Sequence, residues 1–140
     1  MSLEWYLVPP PVFAHFPARE YRWLRLADER GEYGWAALAL RGELLEVHLE
    51  LTRWSVSVRR TLDGDAARLR AWARRRGVRR MVGIKEEADA AAPDPRWPKF
   101  TRIFGFAGHT LVQTAVAELG GEPPPAQGGG GEQSPAVSAG

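Results

Sequence analysis

The chain has 140 residues, 44% of them hydrophobic and 26% charged, a balance that suits one globular domain with an appendage. It has no cysteine, which excludes a disulfide scaffold, a thiolate metal centre and a thiol nucleophile. Nineteen Lys and Arg stand against 17 Asp and Glu, and the basic set is almost entirely arginine, with lysine only at Lys85 and Lys99. The histidines His15, His48 and His109 are too far apart to form a helical metal-binding pair, so no metal site is expected. No apolar run approaches the roughly 20 residues of a bilayer span. Glu4 and the prolines that follow argue against a signal peptide, so the expected setting is the cytoplasm, with no membrane partner.

In chain order, a strand over Trp5–Val8 is stopped by Pro9-Pro10-Pro11. Val12 to Tyr21 leaves room for a short helix at most, because Pro17 cuts it again. Three strand-like stretches follow, Tyr21–Leu26, Tyr33–Leu40 and Leu44–Trp54, joined by short polar links that contain Gly31 and Gly42, and these read as an antiparallel meander. The next element is a helix. Asp63 or Asp65 offers its N-cap, Leu62, Ala66, Leu69 and Trp72-Ala73 form its apolar stripe, and Gly77 follows its last turn. A strand over Val78–Glu86 comes next, then a loop over 88–95 and a second helix with Pro98 in its first turn. Its stripe is Trp97, Phe100 and Ile103-Phe104, and Gly105 ends it. A last strand is expected over His109–Leu119.

This order predicts an α/β domain over 1–119, with a mixed, partly antiparallel sheet and two helices. Residues 120–140, rich in Gly and Pro and without a basic or aromatic side chain, read as an irregular extended tail.

The stretch 78–106, with Arg-Arg-Met-Val-Gly-Ile at 79–84 and Trp-Pro-Lys-Phe-Thr-Arg-Ile-Phe-Gly-Phe at 97–106, resembles the back half of the GNAT acyltransferase fold. The meander and the helix before it stand in the right order for the same fold. Small proteins of this type occur in tailed phages, and the resemblance implies such a source. It also implies acetyl-CoA, whose pyrophosphate the family holds on amides at the start of the long helix. The matching stretch places Gly64 and Ala66 on that pattern, with Arg59 and Arg60 to answer the phosphate charge. Asp63 and Asp65 bring two carboxylates to the same place, Trp97 stands where the family has a small residue, and Thr101 stands where it often has an acidic tyrosine.

Glu46, His48 and Glu50 alternate on one strand and share a face. They read either as a general base flanked by carboxylates or as a polar sheet surface. From Arg53 to Arg80, ten arginines face two aspartates, a phosphate surface for nucleic acid or cofactor or a solvated helix face; no nucleic-acid-binding motif accompanies them. Of the six tryptophans, most are expected in the core. The pairs Tyr21-Trp23 and Tyr33-Trp35 are each expected to share a face, and Trp23 or Trp35 on an uncovered sheet would make an association surface.

The function expected from these readings is a non-catalytic GNAT-fold binding or assembly protein, in the host cytoplasm or in a phage particle. It would dock on protein neighbours through its sheet face and its tail, without a cofactor. The alternative is an acetyl-CoA-dependent N-acetyltransferase, using Glu46, His48 and Glu50 for catalysis and Arg59, Arg60, Gly64 and Ala66 for the cofactor.

Overall fold

The computed structural model describes residues 3–85, 94–110, 114–115 and 117–120, and alternating apolar residues fold most of the chain's first half into a sheet. Strands β1 (Glu4–Tyr6), β2 (Arg22–Asp28), β3 (Gly31–Arg41) and β4 (Leu44–Leu51) pair antiparallel in sequence order. Helix α1 (Val56–Arg75) then crosses over to β5 (Arg80–Ile84), which lies parallel to β4, and a short helix α2 (Trp97–Ile103) follows. Gly42 makes the β3–β4 turn at φ +65°, and Gly77 leaves α1 at φ +79°, a backbone that side-chain-bearing residues resist. The mixed α/β sheet with two helices is the one the sequence calls for.

One face of the sheet carries the helices. Leu24, Leu26, Ala36, Leu38 and Leu45 meet Val58, Leu62, Leu69, Trp72 and Ala73 of α1, and Phe104 closes the end. These α1 residues recur every three or four positions, so one stripe is buried while the arginines between them stay in water. Trp5 of the edge strand packs on Trp72 with centroids 4.9 Å apart, and Arg76 lies over the same indole at 4.2 Å.

The other face is covered by the proline-broken segment between β1 and β2. A single 3₁₀ turn, Pro11–Phe13, directs Phe13 and Phe16 onto Trp23 and Ala37. Trp23 is therefore only 1% exposed, and the uncovered aromatic face expected there is corrected: two phenylalanines do the work of a covering helix. Exposed large apolar side chains occur along Trp5–Val8, where Leu7 is 98% and Val8 70% exposed, and also at Val56 and Leu119.

Tyr33 and Trp35 do not share a face. The β2–β3 register skips Tyr33, with Leu26 opposite Gly34 and Ala27 opposite Glu32. This bulge turns Tyr33 into the helix-side core, while Trp35 packs with the Trp23 group. Gly34 is required beside it, since a Cβ there would lie 2.4 Å from the Glu50 carbonyl oxygen.

Three further boundaries differ from expectation. Strand β4 ends at Leu51, because the Thr52 N–H turns to the carbonyl of the bulged Tyr33 at 2.9 Å, and Trp54 is 50% exposed outside the sheet. On α2 the buried position is Thr101, with Phe104 buried as the residue after the helix, while Ile103 is 42% exposed. Within 109–119, none of the described residues is in a strand. Positions 111–113 and 116, the loop 86–93 and the tail from 121 onward lie outside the described residues. Among the described residues, no helix is long and apolar enough to cross a membrane.

Candidate functional site

Ser55, in extended backbone at φ −163°, is the N-cap of α1, its Oγ accepting the Val58 N–H at 3.1 Å. The helix thus begins at Val56, and Asp63, Gly64, Asp65 and Ala66 lie in its interior. The start expected at Asp63 or Asp65 is corrected. The amides of Gly64 and Ala66 belong to the helical ladder, which leaves them no free N–H for an anion; only the first-turn amides of a helix are unspent. Asp65 points at the sheet, where it accepts the Tyr33 hydroxyl at 2.8 Å and an Arg68 N–H at 2.9 Å. Burial, with the Asp65 carboxylate beside it, pushes the Tyr33 phenol far above its ordinary value. Arg59 and Arg60 are exposed on the first turns, and Arg53 is bound to Asp28 and to the Gly31 carbonyl.

On the opposite face, Glu46 and His48 are brought together and Glu50 is not. His48 Nε2 lies 2.7 Å from Glu46 Oε2, and the Tyr21 hydroxyl donates to the same oxygen. Arg41 Nε is 3.5 Å from the other carboxylate oxygen, and its guanidinium lies over the Tyr21 ring at 5.6 Å. Phe16 meets His48 edge-on at 4.8 Å, leaving the histidine 7% exposed. Glu50 is exposed, level with Trp35.

Burial of this face works against the charge on Glu46, but hydrogen bonds from Tyr21 and His48, with the His48 and Arg41 charges, outweigh it and hold the carboxyl below its usual range. Burial, then the bond to Glu46, raises the Tyr21 phenol. A general base needs a pKa near working pH and an open lone pair; an ionised carboxylate with its donors in place is a brace between strands. Neither of the two clefts described for the molecule is lined by Glu46, His48 or Glu50.

Sequence reasoning missed Tyr21 and Arg41 as partners of Glu46. Their signal was the alternate alanines of β3. Ala37 stands between Trp23 and His48 in register, and Ala39 lies opposite Glu46. Such small side chains let groups on the flanking strands meet across the middle one.

In the closing segment, Trp97 and Phe106 pack over Gly83 of β5, 3.6–3.7 Å from where a Cβ would stand. Phe100 meets Trp54 edge-on at 5.5 Å. Thr101 is 4% exposed, its Oγ within 2.7 Å of His109 Nε2 and 2.9 Å of the Trp97 carbonyl.

Six of the ten arginines of 53–80 fall into two groups. Arg53 and Arg68 are held by aspartates, whereas Arg70, Arg74, Arg79 and Arg80 border a cleft at the far end of α1. Among the described residues, no group of three or more His, Asp and Glu is placed to hold a metal ion.

No protein-family model matches the chain, and none of the curated proteins does. Among solved structures it is similar to "Putative acetyl transferase from Pyrococcus furiosus", with 19% identity and a TM-score of 0.45. That match covers 70% of this chain and 66% of the other, so this chain spans just under two thirds of that structure's length.

Proposed function

We propose that this chain is a non-catalytic binding protein of GNAT-like architecture that serves as a component of a protein assembly. The observation that carries this reading is the position of the α1 N-terminus. With Ser55 as the cap, the two residues that would cradle a pyrophosphate lie within the helix interior. The closing segment supports the same reading: Trp97 and Phe106 cover Gly83, and Thr101, at the place of the family's acid, bonds within its own helix. A protein partner is supported by Leu7 and Val8, exposed just beyond the edge strand β1, since exposed apolar residues at a free sheet edge invite a covering chain. The phage-particle setting rests on the resemblance of 78–106 alone.

The test is a titration of the purified chain with CoA and acetyl-CoA, followed by melting temperature and binding heat together. A ligand at about 100 times its dissociation constant stabilises a fold by roughly 2.7 kcal/mol. A flat response at millimolar CoA is the expected result. A saturable shift with matching heat overturns the proposal and leaves N-acetyltransferase as the reading.

A further inference from the structure

Four arginines line one cleft of about 350 Å³ where α1 passes into β5. Arg70 and Arg74 come from the last turns of α1, and Arg79 and Arg80 from the connection and first residue of β5. Gly105 and Phe106 close the opposite wall, and no carboxylate is among the described residues that line it. Gly105, at φ +88°, makes room for one of these cations: a Cβ there would lie 2.8 Å from Arg70 Nη2.

The arginines of this cleft differ from those braced by carboxylates elsewhere in the molecule. Arg25, Arg41, Arg53 and Arg68 each have a carboxylate within 3.3 Å. Among the described residues, Arg70, Arg74 and Arg80 form no ion pair, and Arg79 meets only Glu43, at 4.0 Å, with both side chains well exposed. The C-terminal dipole of α1 answers part of the Arg74 charge, but Arg79 and Arg80 lie past its reach. Cations held together without counter-charge repel one another, and a compact anion of several charges relieves that repulsion at one stroke. Guanidinium forks match phosphate oxygens two at a time, and the volume lies at the small end of ligand sites.

We propose that the cleft lined by Arg70, Arg74 and Arg79 binds a multiply charged phosphate group. It lies at the opposite end of α1 from the place where the family would hold a cofactor pyrophosphate, so it stands whether or not CoA binds. The phosphate can belong to a small molecule or to a nucleic-acid backbone; the chemistry of the cleft is the same for both.

The experiment titrates the full chain with tripolyphosphate, and separately with a single-stranded thymidine oligonucleotide, at two salt concentrations. The variants are Arg74→Gln/Arg79→Gln and, as a control of equal charge loss elsewhere, Arg19→Gln/Arg30→Gln. All four side chains are exposed, and a melting curve for each variant verifies its fold. Tripolyphosphate is expected to bind the wild type, to bind at least tenfold more weakly to the cleft variant and to change less than twofold with the control. An oligonucleotide that competes with it and needs Arg74 and Arg79 places the phosphate on a nucleic acid. One that does not compete, with tripolyphosphate still bound, places it on a small molecule. Absence of tripolyphosphate binding at millimolar concentration and low salt overturns the proposal, as does equal weakening by the two double variants.

Discussion

Replacing Gly64 by alanine reads the boundary of α1 through the sign of a stability change. In a helix interior, alanine is favoured over glycine by about 0.8–1.0 kcal/mol, mainly because glycine loses more backbone freedom on folding. The added methyl group meets little. The nearest atom is Arg68 Nη1 at 3.4 Å, the far end of a flexible side chain, and no other residue comes within 4 Å. Allowing a few tenths of a kcal/mol for moving that guanidinium, Gly64→Ala gains about 0.5–1 kcal/mol. At about 4–8 °C per kcal/mol for a small domain, the melting temperature rises by about 2–8 °C. Circular dichroism during thermal and urea unfolding measures this, with the urea midpoint rising at unchanged slope. A loss of stability instead would mean that position 64 needs a glycine backbone. That would put the helix start where the cofactor-loop pattern puts it and remove the main support for a non-catalytic protein.

The Tyr33–Asp65 link across sheet and helix should show the asymmetry of buried hydrogen bonds. Tyr33→Phe leaves Asp65 with Arg68 and costs about 1–2 kcal/mol, whereas Asp65→Ala strands a buried phenol and costs about 2–3 kcal/mol. A double-mutant cycle in urea checks this, and the reasoning fails if Asp65→Ala is the milder change. For pH, Glu46 and Asp28 both lie below the ordinary carboxylate value, the first through Tyr21, His48 and Arg41 against its burial, the second through Arg53. Their stabilisation is therefore complete above about pH 4–5, where the unfolded carboxylates ionise, and is lost as pH falls through the lowered folded values. The raised Tyr21 and Tyr33 phenols act in the opposite sense, favouring the fold below about pH 10 and losing that contribution as they ionise in strong base. Melting temperature should be flat from pH 5 to 9 and fall on both sides, and Glu46→Gln should shallow the acid limb; an unchanged acid limb in that variant refutes the assignment.

How much of this was legible depended on the range of the interaction. The meander, the crossover helix and Gly77 as its exit were readable because alternation, a repeat of three to four residues and a left-handed glycine are local signals. The start of α1 was not. Val56 and Val58 are β-branched and continue the look of β4, and Gly64 looks like punctuation. The usable clue was Val58, one turn before Leu62 on the buried stripe. The bulge at Tyr33 left only Gly34 as a trace, and the reason for that glycine, the nearness of the Glu50 carbonyl, lies on another strand. The partners of Glu46 come from Tyr21 and Arg41, which meet it only once three strands are in register.

Where acids stand beside arginines, this molecule has closed its polar groups into braces. Arg25 ties Glu4 to Glu32 across the edge of the sheet, Arg53 fastens Asp28 beside the β2–β3 turn, and Arg41 spans Glu20 and Glu46 beneath Tyr21. Each brace satisfies its own charges and so has little left to offer a ligand. The covering of the second sheet face follows the same logic: Phe16 seals His48 over its carboxylate, making a structural network of what the strand pattern alone could present as an acid–base pair. Where α1 ends, by contrast, the chain supplies arginine after arginine, and no acid is among the described residues that line the cleft. With Gly64 and Ala66 held in the helix interior, that end of α1 is where we propose that phosphate is recognised.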